Sequence, residues 1–250
     1  QDLVASVHDI LAHFPESPND VSQEHGKVLV SVPGEHDKVV YNVPNSLITV
    51  FPGEDYGLHS NDTIRQLLDN TFNNQQNEGG NDLVFINLQA ARIGKLDVER
   101  FKRQVKYSML PNGTATDMVM QVGGRYNDMM HYDFMANMGI WFENFGLPVV
   151  VNECLMQSYD GVIRLFPNWD MKKDAAFYQL RAAGAFLVSA SLENGAVKKV
   201  SILSEKGNGL KVIVPWGKGG YYTGSDGKKE IAGNLVDIKT SPGERIELYP

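Results

Sequence analysis

The stretch Trp141–Trp169, WFENFGLPVVVNECLMQSYDGVIRLFPNW, decides the fold, because it passes from an almost wholly apolar helical pattern straight into a β pattern. Pro148 suits a first helical turn, where its missing amide proton leaves no bond unmade. Leu147, Val149, Val150, Val151, Cys154, Leu155 and Met156 leave no polar stripe, which predicts a helix from Gly146 to Ser158 buried on nearly all sides. Asp160 and Gly161 then make a turn, Val162–Phe166 has strand character, and Pro167 stops it. The junction predicts an all-helical part over residues 1–160 and an all-β part over residues 161–250.

Upstream, Leu3, Val7, Ile10, Leu11 and Phe14 keep helical spacing, so residues 2–13 form a one-faced helix closed by Pro15 and Pro18. Lys27–Val32 and Val39–Val43 are short β runs around Gly34–Asp37, expected to pair as a hairpin. Asn61 can cap a helix with Ile64, Leu67, Leu68 and Phe72 on one face. Asp82 can cap a second, Leu83–Ile93, which is apolar nearly all round, and Asp97 a third with Val98, Phe101 and Val105 inward. With the Gly146–Ser158 helix the order becomes outer, inner, outer, inner. That alternation is expected of helical hairpins set in a ring, a partial α/α toroid, whose inner helices touch neighbours on every side.

From Ala176 onward six or seven short strands follow: Phe177–Arg181, Ala185–Leu192, Val197–Leu203, Leu210–Val214, Leu235–Ile238 and Ile246–Leu248. Asn194–Gly195 is a strong hairpin signal. The expected class is therefore α+β: a partial α/α toroid followed by a C-terminal antiparallel β-sandwich. The Gly-rich stretch Trp216–Gly227 has no following helix to receive a phosphate, which makes it a long hairpin whose Trp216, Tyr221 and Tyr222 can touch a glycan.

With 42% apolar and 21% charged residues in 250, both parts can own a core. A net charge of −7 without any dense Lys/Arg run argues against nucleic acid, which needs phosphate neutralisation, and favours a neutral, sugar-like ligand. No run of ~18 apolar residues predicts a membrane span, and the start lacks the basic and apolar regions of a signal peptide. Gln1 is no initiator methionine, so residues upstream are expected to be processed off or left out. Cys154 stands alone, which excludes an internal disulfide and marks it as a core residue rather than a nucleophile. One His among scattered carboxylates lacks zinc spacing, and no acidic loop suits calcium, so neither metal nor cofactor is expected.

The run Asn144, Phe145, Gly146, then Glu153, Leu155, Gln157, Ser158, Asp160, Gly161, Ile163, Leu165 and Pro167, resembles the C-terminal part of glycoside hydrolase family 95. Leu47, Phe51, Pro52 and Gly53, and more loosely Ala90, Ala91 and Arg92, extend the likeness in patches over residues 45–190. The resemblance implies an (α/α)6 barrel, inverting α-L-fucosidase chemistry in bacterial polysaccharide degradation, and periplasmic or secreted placement. Where that family carries an aspartate two residues before Asn-Phe-Gly, this chain has Phe142 with Glu143 beside it, and Asn42–Ser46 replace a basic, His-containing stretch. By the same resemblance the general acid and the base asparagine belong to helices upstream of Gln1.

Inverting hydrolysis needs an acid and a base with carboxyls ~6.5 to 9.5 Å apart. Glu143, just before an inner helix where amide protons and the helix dipole favour negative charge, is the catalytic candidate. Met109–Asn144 has no clean period, is well beyond the ~12 to 15 residues of an ordinary connection, and is expected to shape the site; a short helix within Tyr132–Met138 is weakly signalled. Within this loop Arg125, His131 and Asp133, joined by Trp141 and Asn144, are the expected sugar contacts, rings for stacking and polar groups for hydroxyls. Glu153 falls inside the apolar helix and must have an Arg, Lys or backbone partner, which gives it a structural role. Glu54 and Asp55 follow the Phe-Pro-Gly corner as a solvated turn.

Three functions remain open on these residues: part of a glycoside hydrolase, a non-catalytic glycan binder on the same scaffold, or a structural piece. The last would self-associate or dock on the missing barrel half, because half a ring leaves an apolar face in water. Water and phosphate both remain open as the acceptor of the glycosyl group.

Overall fold

The computed structural model describes residues 2–34, 44–75, 83–110, 112–115 and 141–250, with the backbone alone at Tyr107 and residues 141–143. The expected strand Val39–Val43, the Asp82 cap and the weakly signalled helix within Tyr132–Met138 lie outside the described residues. The chain is mixed α+β. Five α-helices occupy the N-terminal part of the described residues, and a six-stranded antiparallel sheet dominates the remainder.

Helix α1 (Leu3–Ala12) is capped by Asp2, whose carboxylate accepts the Val4 amide at 3.0 Å, and it buries no residue. Strands β1 (Asn19–Ser22) and β2 (Gly26–Leu29) pair antiparallel. Lys27 thus does enter a strand, which pairs with the segment before it, and the expected pairing with Val39–Val43 falls outside the described residues. The reason is local: the Ser22 hydroxyl accepts from the Glu24 and His25 amides, and Gly26, at φ +76°, closes the turn in the left-handed region. The hairpin rides on α2 (Asp62–Asn74), where the Leu29 amide donates to Thr71 Oγ1 at 2.9 Å and the Ser22 hydroxyl to Asn74 Oδ1 at 2.6 Å.

Asn61 caps α2 and Asp97 caps α4 (Val98–Ser108), accepting from the amides of Ile64 and Arg100. Between them α3 (Leu83–Ile93) buries every residue except Phe85. It is the inner helix that its pattern predicts. Helix α5 (Trp141–Leu155) ends at Leu155 rather than the expected Ser158, with Met156–Gln157 in a strand, and differs from expectation in two further ways. It begins well before Gly146, so Pro148 sits in its interior, where the residue has no amide proton for the helical bond to the Asn144 carbonyl. It is also not buried all round: Leu147, Val150 and Cys154 face inward, while Phe145 is 71% exposed, Val149 40% and Val151 43%. Uniform hydrophobicity carries no stripe, so it cannot say which face meets the neighbouring helix; packing against α3 chooses Leu147, Val150 and Cys154.

Helices α3 and α5 run in the same direction. Gly146 near the start of α5 lies against Val84 near the start of α3, while Glu153 pairs with Arg92 and Gln157 with Ala91 near the ends. A Cβ at Gly146 would sit 2.4 Å from Val84 Cγ1, so the close approach of the two helices depends on that glycine.

The chain leaves α5 through β3 (Met156–Gln157) and β4 (Arg164–Leu165) into β5 (Ala175–Ala182), β6 (Phe186–Glu193), β7 (Ala196–Ser204), β8 (Leu210–Ile213), β9 (Tyr221–Gly224), β10 (Gly227–Glu230), β11 (Leu235–Ile238) and β12 (Arg245–Tyr249). The large sheet has the order β10-β9-β12-β7-β6-β5, with β8–β11 and β3–β4 as separate two-stranded pairs. Of the expected strand Val162–Phe166 only Arg164–Leu165 ladders, and Ile163 bridges Val212 in parallel instead. Asn194 and Gly195, at φ 51° and 78°, form the hairpin turn between β6 and β7. Alternation along β6 sends Phe186, Val188, Ala190 and Leu192 inward, where they meet Ile202, Ile246 and Leu248 and also Leu210, Val212, Val236 and Ile163. That core draws on residues from Met156 to Leu248, whereas two others, around Leu88 and around Leu68, are helical.

Substituting Gly146→Ala is expected to destabilise the protein by about 1–3 kcal/mol through overpacking. Adding Val84→Ala should recover part of that loss; urea unfolding of the two single variants and the double variant checks it, and additive losses would contradict the close approach.

Candidate functional site

The parallel helices α3 and α5 have two ends, and the structure treats them differently. At the C-terminal end, the Arg92 guanidinium donates from Nη1 to the carbonyls of Val50 (3.2 Å) and Gly53 (3.1 Å), and from Nη2 to Glu153 Oε1 (3.3 Å). Its plane lies 4.9 Å from the Phe51 ring centroid and 4.6 Å from that of Tyr159. Arg92 stands in the last turn of α3, where a cation also opposes the helix dipole. Glu153 therefore has the partner its burial demands. Desolvation pushes its carboxyl above the ordinary 4.5, with Arg92 pulling the other way.

Around this pair the remaining polar groups tie the corner at Phe51–Gly53 to both helices. Gln89 donates to the carbonyls of Pro44 (2.9 Å) and Phe51 (3.2 Å). Gln157 and Asn168 both donate to the Ala91 carbonyl, at 3.0 and 2.9 Å. The Tyr159 hydroxyl accepts the Leu58 amide at 2.9 Å and donates to the Arg92 carbonyl at 3.3 Å. Gly57 leaves the space for it: a Cβ there would lie 2.4 Å from that oxygen. Outside the ring of Tyr159, Arg164 donates to Asp160 Oδ2 at 2.8 Å, and His59 Nδ1 lies 3.4 Å from the same atom. Glu54, expected in a solvated turn, is exposed and accepts the Asp160 amide at 3.2 Å. This end is filled by side chains that bond one another and backbone carbonyls, as a brace does, while Gln89 Oε1, Arg92 Nε, Glu153 Oε2 and Gln157 Oε1 are buried without a hydrogen-bond partner among the described residues.

At the N-terminal end, the first turn of α5 carries Trp141, Glu143 and Asn144. The parallel course of α3 and α5 sets their two N-termini on one side, where aligned helix dipoles favour carboxylates and sugar oxygens. The Asn144 amide is used at both its ends on Ala115, accepting its amide at 2.8 Å and donating to its carbonyl at 3.3 Å. It thereby fixes where the chain after α4 meets α5. Arg125, His131 and Asp133 lie outside the described residues, and at Trp141 and Glu143 the backbone alone is described.

Cys154 is buried and its thiol is pushed up to about 11, chiefly by desolvation, which keeps it protonated and unreactive at neutral pH. Among the described residues no cluster of three or more His, Cys, Asp or Glu is placed to hold a metal ion, and no helix is long and apolar enough to cross a membrane. Gln89 stands three positions before Arg92 and Gln157 four after Glu153, spacings that mark them as partners of the pair; no such spacing marks Tyr159. Compared with known proteins, the chain matches no protein-family model and no curated sequence.

Because the folded state holds a proton on Glu153 more tightly than the unfolded chain, the associated stability is present below pH 4.5 and is lost as pH rises through the elevated value. Glu153→Gln cannot titrate. Its unfolding free energy relative to the native protein should therefore improve as pH is raised from 4.5 and then level off; parallel pH profiles in urea titrations would contradict the assignment.

Proposed function

We propose that this chain is part of a glycoside hydrolase acting on oligo- or polysaccharides, with residues 1–160 forming a sector of an α/α toroid and residues 161–250 a β-sandwich. The observation that carries the reading is the parallel packing of α3 and α5. Inner helices of a toroid all point one way, each reached through an outer helix, and α4 is the one-faced helix between these two. The resemblance to glycoside hydrolase family 95 then supplies the chemistry, possession of which makes α-L-fucosides the first substrates to try.

On this reading the sugar lies at the N-terminal end of α3 and α5, because the other end is closed by Arg92, Tyr159 and the Phe51–Gly53 corner. Glu143 acts as a carboxylate of the reaction, holding or moving the proton of the attacking water. Arg125, His131, Asp133 and Trp141 are the sugar contacts this reading expects from the sequence. Asn144 holds its floor through Ala115. A second reading, a glycan binder without turnover, is favoured by Phe142, which stands where the family has its aspartate.

Purified full-length protein is expected to release nitrophenol from one of a panel of α-L-fucoside, α-galactoside and β-arabinoside aryl substrates. Glu143→Gln should lower kcat by about a hundredfold or more, as for loss of a general acid or base, with unchanged thermal unfolding. Calorimetric binding of fucosylated oligosaccharides without turnover would favour the second reading. Neither binding nor turnover would overturn both.

A further inference from the structure

The solvent face of the six-stranded sheet carries a polar row that is interrupted at one edge. Register places Ser189, Ser201, Glu247, Thr223 and Lys228 opposite one another in a single row crossing β6, β7, β12, β9 and β10. At the β5 side of this row the ladder breaks: pairing passes from Phe177–Ala190 to Leu180–Val188, so Tyr178 and Gln179 together oppose Ser189. Gln179 takes φ 51°, an uncommon conformation for a residue with a side chain, and its amide donates to the Ser189 hydroxyl at 2.9 Å. Bulges of this kind re-aim a side chain, and backbone held in a sparsely populated region points to a function. The side chain displayed is Tyr178, 80% exposed.

Beneath Tyr178 runs an open groove of about 400 Å³, lined also by Phe177, Ser189, Ser191, Lys199 and Ser201. Its polar wall is already ordered. Lys199 Nζ lies 2.6 Å from Glu247 Oε2, the Ser201 hydroxyl donates to Glu247 Oε1 at 2.9 Å, and Arg245 donates to the Ser201 oxygen at 3.0 Å. Glu247 does not itself line the groove; it pairs with Lys199, whose ammonium, with the Ser191 hydroxyl, offers hydrogen-bonding groups toward the groove. A tyrosine ring supplies an apolar face at small conformational cost and suits the C–H face of a sugar.

We propose that this groove is a second carbohydrate site, taking an oligosaccharide with one ring against Tyr178 and its hydroxyls on Ser191 and Lys199. The proposal rests on the carbohydrate reading above but not on catalysis by this chain. It would hold polymer near the first site, or serve alone in a non-catalytic binder.

The test uses the full-length protein and a panel of neutral cello-, xylo-, galacto- and fucosylated oligosaccharides, titrated by calorimetry, with aryl-glycoside turnover measured in parallel. Tyr178→Ala, an exposed change on a bulge, is expected to weaken oligosaccharide binding about tenfold, and Ser191→Trp, which fills the groove, to abolish it. Both variants should keep aryl-glycoside turnover and thermal unfolding unchanged. Wild-type affinity retained in both variants, or no binding of any member of the panel, overturns the proposal. Loss of turnover in Glu143→Gln with sheet binding intact, or absence of turnover altogether, bears on the hydrolase reading and leaves this site standing.

Discussion

The structure depends on where the Arg92 guanidinium is held. It is a cation in the last turn of the buried helix α3, and burying a charge is costly unless it is paired and fully hydrogen-bonded. Two carbonyls of the Phe51 corner, the Glu153 carboxylate and two aromatic faces meet most of that requirement, with Arg92 Nε and Glu153 Oε2 left without a hydrogen-bond partner among the described residues. These groups come from three places: the Val50–Gly53 corner, helix α5 and Tyr159. Satisfying one side chain therefore sets the direction of α5 against α3, seats the corner over their ends, and brings Tyr159 under the start of the β part. A buried ion pair adds little net stability compared with well-packed apolar residues, so its contribution here is chiefly to arrangement: breaking it leaves a lone charge that no alternative packing can accommodate.

The brace bears on the proposed carbohydrate site. Closing the C-terminal ends of two parallel helices leaves their N-terminal ends as the side with a dipole favourable to carboxylates and sugar oxygens. Glu143 and Asn144 stand in that first turn, one offered as reacting carboxylate and the other committed to Ala115. The β part adds a separate surface, in which a bulge pinned by Ser189 displays Tyr178 over a groove that Ser191 and Lys199 line.

Much of this was legible in residue order because the signals were local. Asn61 and Asp97 cap the helices that their neighbours' spacing implies, Asn194–Gly195 turns the hairpin, and Glu153 on an apolar helix demanded the partner it has. What was not legible depends on contacts between distant segments. Lys27 lies in a strand, yet the choice of Asn19–Ser22 as partner follows from a Ser22-centred turn rather than from strand character. Pro148 resembles a helix start, but the turn before it is held by Asn144 on Ala115, which lets the helix begin at Trp141. The near-absence of polar residues on α5 suggested burial on all sides, although packing uses one face only. The Tyr178–Gln179 bulge has no glycine to announce it; Ser189 across the ladder creates it.

The most direct measurement is the coupling energy between Arg92 and Glu153 from a double-mutant cycle of Arg92→Met and Glu153→Met in urea unfolding. If the pair braces the helices, each single change strands a buried charge and costs about 3–5 kcal/mol, while the double change costs clearly less than their sum. Losses that add to within about 0.5 kcal/mol would show two independent side chains and contradict the account.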